Sequence, residues 1–221
     1  MNKSQKKERM SAISEILREI YPEAICALEY EGEPWKLLVM ARLSAQCTDA
    51  RVNIVSKELF KRFPTIEDMA GAEISEIEDI VRPCGLYRTK AASIKSACAD
   101  IIERFDGRVP DNMDDLLSLS GVGRKIANLL LGDIYGKGGI VADTHCIRIC
   151  GRLGMYPTSN KDPRRTEDIM SELIPTDEQS DFCHRIVQFG RDTCTARAPQ
   201  CNTCPIRSLC EYGRAGNREQ I

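Results

Sequence analysis

The sequence predicts an all-α fold. Apolar residues recur at helical spacing along most of the 221 residues, and alternating strand patterns are nearly absent. A glycine turn between two helical segments, Gly121-Val122-Gly123, predicts an α-helical hairpin. Charged residues make up 29% of the chain and hydrophobic residues 42%, as in an ordinary globular protein. A chain of this length buries a substantial core, as one large domain or two small ones.

The first half of the chain carries a series of helical segments. One face of the first helix is formed by Ile13, Ile16, Leu17 and Ile20, and this helix ends near Pro22. The next helices are predicted from Trp35 to Ala45, after a cap at Thr48 or Asp49, after the capping-box pair Ser75 and Glu78, and from Thr89 to Phe105.

The second half begins with the hairpin. Asn112 is predicted to cap a short helix through Leu119, and the glycine turn leads into a helix from about Arg124 to Tyr135. Gly136-Lys137-Gly138-Gly139 then breaks the pattern. Three more helices are predicted, from Asp143 through Arg152, from Asp162 to Leu173 and from Asp177 to Phe189.

Charge and termini narrow the class of protein. The net charge of −2 means that a phosphate-binding surface requires positive charge gathered on one face. The charged start of the chain lacks the apolar run of a secretory signal, and no stretch approaches a membrane span. We therefore expect an intracellular protein that keeps its cysteines reduced.

The hairpin turn stands directly before Lys125, at the start of a helix. Glycines let backbone N–H groups approach a ligand closely, and a helix N-terminus attracts a phosphate. From these residues alone, Lys125 is either a phosphate contact or a nucleophile. Asp143, in the segment Val141-Ala142-Asp143-Thr144-His145, is predicted to cap the helix that follows it.

Four of the 11 cysteines form a second constellation, with the spacing C-x6-C-x2-C-x5-C at Cys194, Cys201, Cys204 and Cys210. Their segment has few apolar side chains, so the thiols require a metal or disulfides. An iron–sulfur cluster suits four cysteines in one compact loop, whereas zinc sites usually show two separated C-x2-C pairs. Spacing alone leaves iron–sulfur, zinc and unrelated cysteines open. The other seven cysteines, such as Cys26, Cys98 and Cys150, are interpreted as small core residues.

Taken together, these motifs resemble the endonuclease III family of DNA glycosylases with lyase activity. The resemblance covers nearly the whole chain. It rests on Leu43-Ser44-Ala45-Gln46-Cys47-Thr48-Asp49, Gly85-Leu86-Tyr87, the hairpin with Lys125, the segment around Asp143 and the four-cysteine loop. Ser120 stands where the family usually has proline, and Ile126 where threonine is common. Serine leaves the turn less rigid.

The resemblance implies a helix-hairpin-helix DNA glycosylase fold of two helical domains with a cleft between them. Residues 24–136 would form a six-helix domain with the hairpin. Residues 1–23 plus 137–221 would form a second helical domain, with a cluster loop at 194–210. Lys125 and Asp143 would face each other across the cleft, and the four cysteines would hold a [4Fe-4S] cluster.

The implied function is base-excision DNA repair by a monomer, with no membrane partner. If the protein is bacterial, the implied location is the cytoplasm, in association with the nucleoid. Lys125 would attack the sugar of an oxidised pyrimidine in duplex DNA, form a Schiff base and nick the abasic site by β-elimination. Asp143 would stabilise positive charge on the sugar. Implied DNA contacts are Gln46, Leu86, Gly121, Gly123, Arg124, His145, Arg191 and Arg197, with Arg207 also on the cluster loop.

Alternatives stay open for the roles of two residues and for the function of the whole chain. Leu86 is either inserted into DNA or a core leucine, and His145 either points into the cleft or is a satisfied buried histidine. For the whole chain, the alternatives are an adenine mismatch glycosylase of the same superfamily, a non-catalytic helix-hairpin-helix DNA-binding iron–sulfur protein, and an electron-transfer protein. Lys125 argues against the first, because that family lacks a lysine at this position. Lys125 and Asp143 together argue against the second, and the hairpin, which electron transfer would not use, argues against the third.

Overall fold

Helices joined by turns and loops make up the chain, and residues 1–216, which this computed structural model describes, contain no β-strand. The predicted all-α fold is confirmed. By its internal contacts the chain divides into two units, residues 26–135 and residues 1–25 together with the chain from Gly136 onward. The domain limits predicted from the sequence, residues 24–136, describe a unit that folds on its own. Internal contacts do not test folding, so these limits stay a prediction.

The α-helices in chain order are α1 (Lys3–Ile20), α2 (Pro34–Leu43), α3 (Asp49–Arg62), α4 (Ile66–Gly71), α5 (Ile74–Val81), α6 (Tyr87–Phe105), α7 (Met113–Leu117), α8 (Arg124–Asp133), α9 (Thr144–Leu153), α10 (Pro163–Leu173), α11 (Gln179–Asp192) and α12 (Glu211–Arg214). Short 3-10 turns lie at Arg82–Cys84, Thr176–Glu178 and Arg207–Leu209.

In the unit of residues 26–135, α6 is the central helix. Helices α2, α4 and α5 all pack against it. Its inner face carries Ala91, Ile94, Ala97, Cys98 and Ile101 at helical spacing, and each of these is fully buried. Helices α7 and α8 contact each other, as the hairpin predicts, and α8 also packs on α2. The glycine turn is therefore attached to the core of this unit.

The region before α6 departs from the sequence-based expectation. Ser75 and Glu78 form no capping box, because α5 already begins at Ile74 and Ser75 lies inside it. The capping box belongs instead to Thr65 and Asp68 at the start of α4, a helix that the sequence analysis missed. Six residues give too short a window for helical periodicity to show.

In the other unit, α11 packs against α1 and α9. Ile13 and Leu17 of α1, Ile149 of α9 and Phe182 and Ile186 of α11 share one core and are almost fully buried. The predicted inner face of the first helix is confirmed at these two α1 positions. This core carries the start of α9, where Asp143 lies.

The cysteines outside the four-cysteine segment lie within the two cores. Five are buried, and Cys26 and Cys47 are partly buried. Burial raises the pKa of the Cys98 thiol to about 12, so this side chain stays protonated and behaves as a small apolar residue. Within residues 1–216, no helix combines the length and the apolar character that crossing a membrane requires.

Candidate functional site

The hairpin turn between α7 and α8 is held by buried apolar residues. Leu119 and Val122 are buried, and the Val122 N–H donates to the Leu119 carbonyl at 3.2 Å. Gly121 has a φ of +74°, which favours glycine. Gly123 is extended and forms the N-cap of α8, which has no side-chain cap. As a glycine, this N-cap has no side chain to bond to the first N–H groups of α8, which carry partial positive charge as at any helix start.

The two glycines of the turn meet different surroundings. A Cβ at Gly121 would lie 2.6 Å from Arg42 Nε and 2.8 Å from Ser93 Cβ. These neighbours are fixed, because Arg42 Nε donates to Ser93 Oγ at 2.8 Å. A Cβ at Gly123 would meet no protein atom within 4 Å. Packing within the chain therefore requires glycine at 121, but not at 123.

Lys125 is the second residue of α8 and its side chain is exposed. Arg124 and Ile126 on either side are half-buried, while Ala127 is fully buried. The amine is thus held on the surface of a well-packed helix, directly behind the glycine turn. Such an amine is available to a ligand that the turn binds.

Asp143 forms the N-cap of α9. Its Oδ1 accepts a hydrogen bond from the Cys146 N–H at 2.7 Å, and its own N–H donates to the Val141 carbonyl at 2.8 Å. The predicted cap is confirmed. The carboxylate is half-buried, and its orientation is fixed by the helix that it caps.

His145 is the second residue of the same helix and is half-buried against α11. A Cβ at Gly190 would lie 2.4 Å from His145 Nδ1, and Arg148 Nη2 lies 3.3 Å from the same nitrogen. The imidazole therefore packs inside its own unit, as a satisfied histidine does. A DNA contact by His145 stays a prediction.

Gln46 and Leu86 share an unusual backbone conformation. Gln46 has a φ of +57° and Leu86 a φ of +48°, in the left-handed region that residues with a Cβ seldom adopt. Both are exposed, and Leu86 keeps 57% of its accessible surface. The interpretation of Leu86 as a core leucine is therefore wrong. Strained backbone of this kind is often found at functional sites.

The four cysteines of the C-terminal segment line one pocket. Its other lining residues include Ile149, Phe189 and Ile206, so the space is largely apolar. The Gly213 N–H donates to Cys210 Sγ at 3.4 Å, and Arg152 Nη1 to Cys194 Sγ at 3.5 Å. Four cysteine sulfurs around one largely apolar pocket, with N–H donors aimed at two of them, fit an iron–sulfur cluster.

The predicted arginines lie close to this segment in sequence. Arg191 is in the last turn of α11 and Arg197 in the loop after Cys194, and both are exposed. Arg207 is also exposed, and its Nε donates to the Gly213 carbonyl at 3.4 Å. The cysteine loop thus carries exposed positive charge.

Residues 39–176 match the HhH-GPD superfamily of base excision DNA repair proteins, and residues 194–210 match the iron-sulfur binding domain of endonuclease III. Endonuclease III of Synechocystis is 43% identical over 95% of both chains, and that of Bacillus subtilis 37% over 92% of both. The chain belongs to the endonuclease III family. Spacing alone left zinc open, and this membership confirms the [4Fe-4S] cluster as cofactor.

Solved structures give the same result. A non-covalent endonuclease III–DNA complex is 37% identical, with a TM-score of 0.89 over 99% of this chain and all of that one. A trapped endonuclease III–DNA covalent intermediate is also 37% identical, with a TM-score of 0.88 over 97% of this chain and 98% of that one. The family member described here is a DNA glycosylase and lyase of base excision repair.

Proposed function

We propose that this enzyme removes oxidised pyrimidines from duplex DNA and then nicks the strand, with Lys125 as nucleophile and Asp143 as the stabilising carboxylate. The observation that carries the proposal is the exposed amine of Lys125 at the start of α8, directly behind the glycine turn. The similar structure of a trapped endonuclease III–DNA covalent intermediate supports covalent chemistry by this fold.

Breaking the glycosidic bond leaves positive charge on the sugar ring. The Asp143 carboxylate stabilises that charge in the transition state, while its hydrogen bond to the Cys146 N–H holds it in place. The neutral amine of Lys125 attacks the anomeric carbon, and the base leaves with the bonding electron pair and takes up a proton.

Strand cleavage follows from the same bond. Ring opening converts the lysine adduct into a protonated imine, which acidifies the neighbouring sugar carbon. Loss of a proton from that carbon expels the 3′ phosphate by β-elimination, and water then releases Lys125. One lysine therefore serves both base removal and strand nicking.

The hairpin turn holds the DNA backbone for this attack. The N–H groups at Gly121 and Gly123 and at the start of α8 point to a phosphate as ligand, and Arg124 adds positive charge. The open space around Gly123 lets the phosphate approach the backbone closely. Because Lys125 is only two residues further on, binding of the phosphate positions the amine at the sugar.

Reaching the sugar requires extrusion of the nucleotide, which costs a few kcal/mol of stacking. Gln46 and Leu86 fill the gap in the duplex, because each is exposed on a backbone held in the left-handed region. An exposed leucine beside an exposed amide offers one apolar and one hydrogen-bonding group to the orphaned base and its neighbours. Together they offset part of the lost stacking.

Cys194, Cys201, Cys204 and Cys210 would hold the [4Fe-4S] cluster. When bound, the cluster supplies a covalent link between four positions of this loop, so its role is structural. The loop then presents Arg191 and Arg197 to the DNA backbone. Because DNA is the substrate, we also place the enzyme inside the cell, as a monomer.

Three duplexes test the proposal. The first contains an oxidised thymine opposite adenine, the second an adenine opposite 8-oxoguanine, and the third is undamaged. We expect base release and strand nicking on the first duplex alone. Release from the second alone would assign the chain to the adenine mismatch glycosylases, and binding without release from any would make it a non-catalytic DNA-binding protein.

A further inference from the structure

Lys90 is a lysine in the core of the unit of residues 26–135. It lies in the first turn of α6 and has no accessible surface. Its Nζ donates to three backbone carbonyls, those of Leu43, Ala45 and Cys84, each at 2.8 Å. An ammonium has three N–H donors, so every donor has a partner.

A charge in this place needs a reason beyond packing. Burying an ammonium is costly, and an apolar residue of similar size often stabilises a core at least as well. Burial lowers the pKa of Lys90, which reflects that cost. The three carbonyl oxygens favour the charged form. The positions of these carbonyls in the chain explain why a charged residue is buried here.

The three carbonyls belong to two separate loops. Leu43 ends α2 and Ala45 comes directly before Gln46, while Cys84 lies two residues before Leu86. The Lys90 N–H also donates to the Leu86 carbonyl at 3.0 Å. One side chain therefore joins the two loops that carry the exposed, left-handed residues.

Left-handed backbone at a residue with a Cβ costs free energy and persists only where its surroundings hold it. The hydrogen bonds of Lys90 reach both loops, which also meet through the thiols of Cys47 and Cys84. Among these contacts, only the ammonium of Lys90 binds backbone carbonyls of both loops at once. Without the ammonium, we expect each loop to keep its local turn but to lose the hydrogen bonds that hold its backbone to the other loop, leaving the thiol contact.

We propose that Lys90 is a positioning residue that holds Gln46 and Leu86 as one rigid pair for insertion into the duplex. This inference rests on the insertion role given to those two residues above. Lys90 itself does not touch DNA or the reacting sugar, so its effect is confined to steps in which the duplex must be opened.

The test compares Lys90→Met, which keeps the length of the side chain and removes the ammonium, with Lys95→Met. Lys95 lies on the same helix and donates to one carbonyl, that of Ala72 at 2.7 Å. It therefore controls for the loss of a lysine hydrogen bond that does not involve the Gln46 and Leu86 loops. Circular dichroism and thermal unfolding identify the variants that are folded.

Two measurements distinguish a loss of positioning by Lys90 from general damage to the enzyme. Nucleotide extrusion is followed by the fluorescence of 2-aminopurine next to the lesion, and lyase activity is measured on an abasic site in single-stranded DNA. We expect Lys90→Met to slow extrusion and duplex nicking about tenfold or more, and to leave single-strand nicking within about twofold. Lys95→Met should change neither.

A double-mutant cycle gives a second readout. If Lys90 acts through Leu86, then Lys90→Met should slow extrusion much less in a Leu86→Ala background than in the wild type. Equal effects in both backgrounds, or equal loss of duplex and single-strand nicking, would overturn the inference. Should Lys90→Met not fold, Lys90→Gln enters the same comparisons, because its amide keeps two donors.

Failure of the insertion role gives a different result. Gln46→Ala and Leu86→Ala should each slow extrusion if the two residues insert. If neither does, the proposed insertion is wrong. If they slow extrusion and Lys90→Met does not, insertion holds and the positioning role of Lys90 is wrong.

Discussion

Gly121 and Gly123 are separated by one residue, yet the reasons for glycine at the two positions differ. Alanine at 121 would keep a positive φ and press against Arg42 and Ser93. We expect Gly121→Ala to lower the free energy of unfolding by about 1–3 kcal/mol, as measured by urea denaturation.

Gly123→Ala should behave in the opposite way. Its Cβ meets open space in the protein, so the free energy of unfolding should change by less than about 1 kcal/mol. The methyl group would instead block a phosphate, and affinity for a duplex with an abasic-site analogue should fall. Affinity equal to that of the wild type would contradict the proposed contact between the glycine turn and a DNA phosphate.

Asp143 is the N-cap of α9 and the proposed catalytic carboxylate, and substitution separates these two roles. Asparagine also accepts a hydrogen bond from the Cys146 N–H, so Asp143→Asn should unfold like the wild type but lose the charge that stabilises the sugar cation. Asp143→Ala should lose both the activity and about 1 kcal/mol of stability. Normal single-turnover base release by Asp143→Asn would remove the carboxylate from the mechanism.

Contacts between residues that are far apart in the chain could not be predicted from the sequence. Lys90 contacts carbonyls 47, 45 and 6 positions away, and no local pattern marks such an arrangement. The left-handed backbone at Gln46 and Leu86 is equally hidden, because neither residue type favours it. The family motifs named both residues, but only the structure gives their conformation.

The helices that begin with a side-chain N-cap were predicted best from the sequence. Thr48, Asn112, Asp143 and Asp162 each accept a backbone hydrogen bond at a helix start, as the side-chain chemistry of N-caps indicates. The errors lie where caps are ambiguous. Glu73, not Ser75, precedes α5, and α4 is too short to show a period.

The cysteine loop is the element that depends on its cofactor. Cys201→Ser removes one of four sulfur ligands, so we expect less iron, a lower yield of folded protein and weaker DNA binding. In the fraction of the variant that folds, the catalytic rate per DNA-bound molecule should fall less than the yield and the DNA affinity do. Iron analysis, the visible absorption of the brown holoprotein and binding titrations measure these effects.

Cys26→Ser is the matched control for the loop, because Cys26 is partly buried in the other unit. Iron content and DNA affinity should match those of the wild type. If Cys201→Ser also matches the wild type in stability and binding, the structural role of the cluster is wrong.

For the whole molecule, a net charge of −2 requires that DNA binding depend on a few local cations. Each phosphate contact that is lost should reduce the slope of log affinity against log salt by about 1. We expect this reduction for Arg197→Gln. Arg164→Gln is the control, since Arg164 pairs with Asp168 on α10. Equal slopes for wild type and Arg197→Gln would exclude Arg197 as a phosphate contact.

In the proposed mechanism, one lysine performs both base removal and strand cleavage. Borohydride reduces the imine and fixes the enzyme to a duplex that contains an oxidised thymine. Peptide mass spectrometry of this adduct should place the DNA on Lys125, and Lys125→Gln should form no adduct while still binding the duplex. A trapped adduct with Lys125→Gln, or one on another residue of the wild type, would contradict the account.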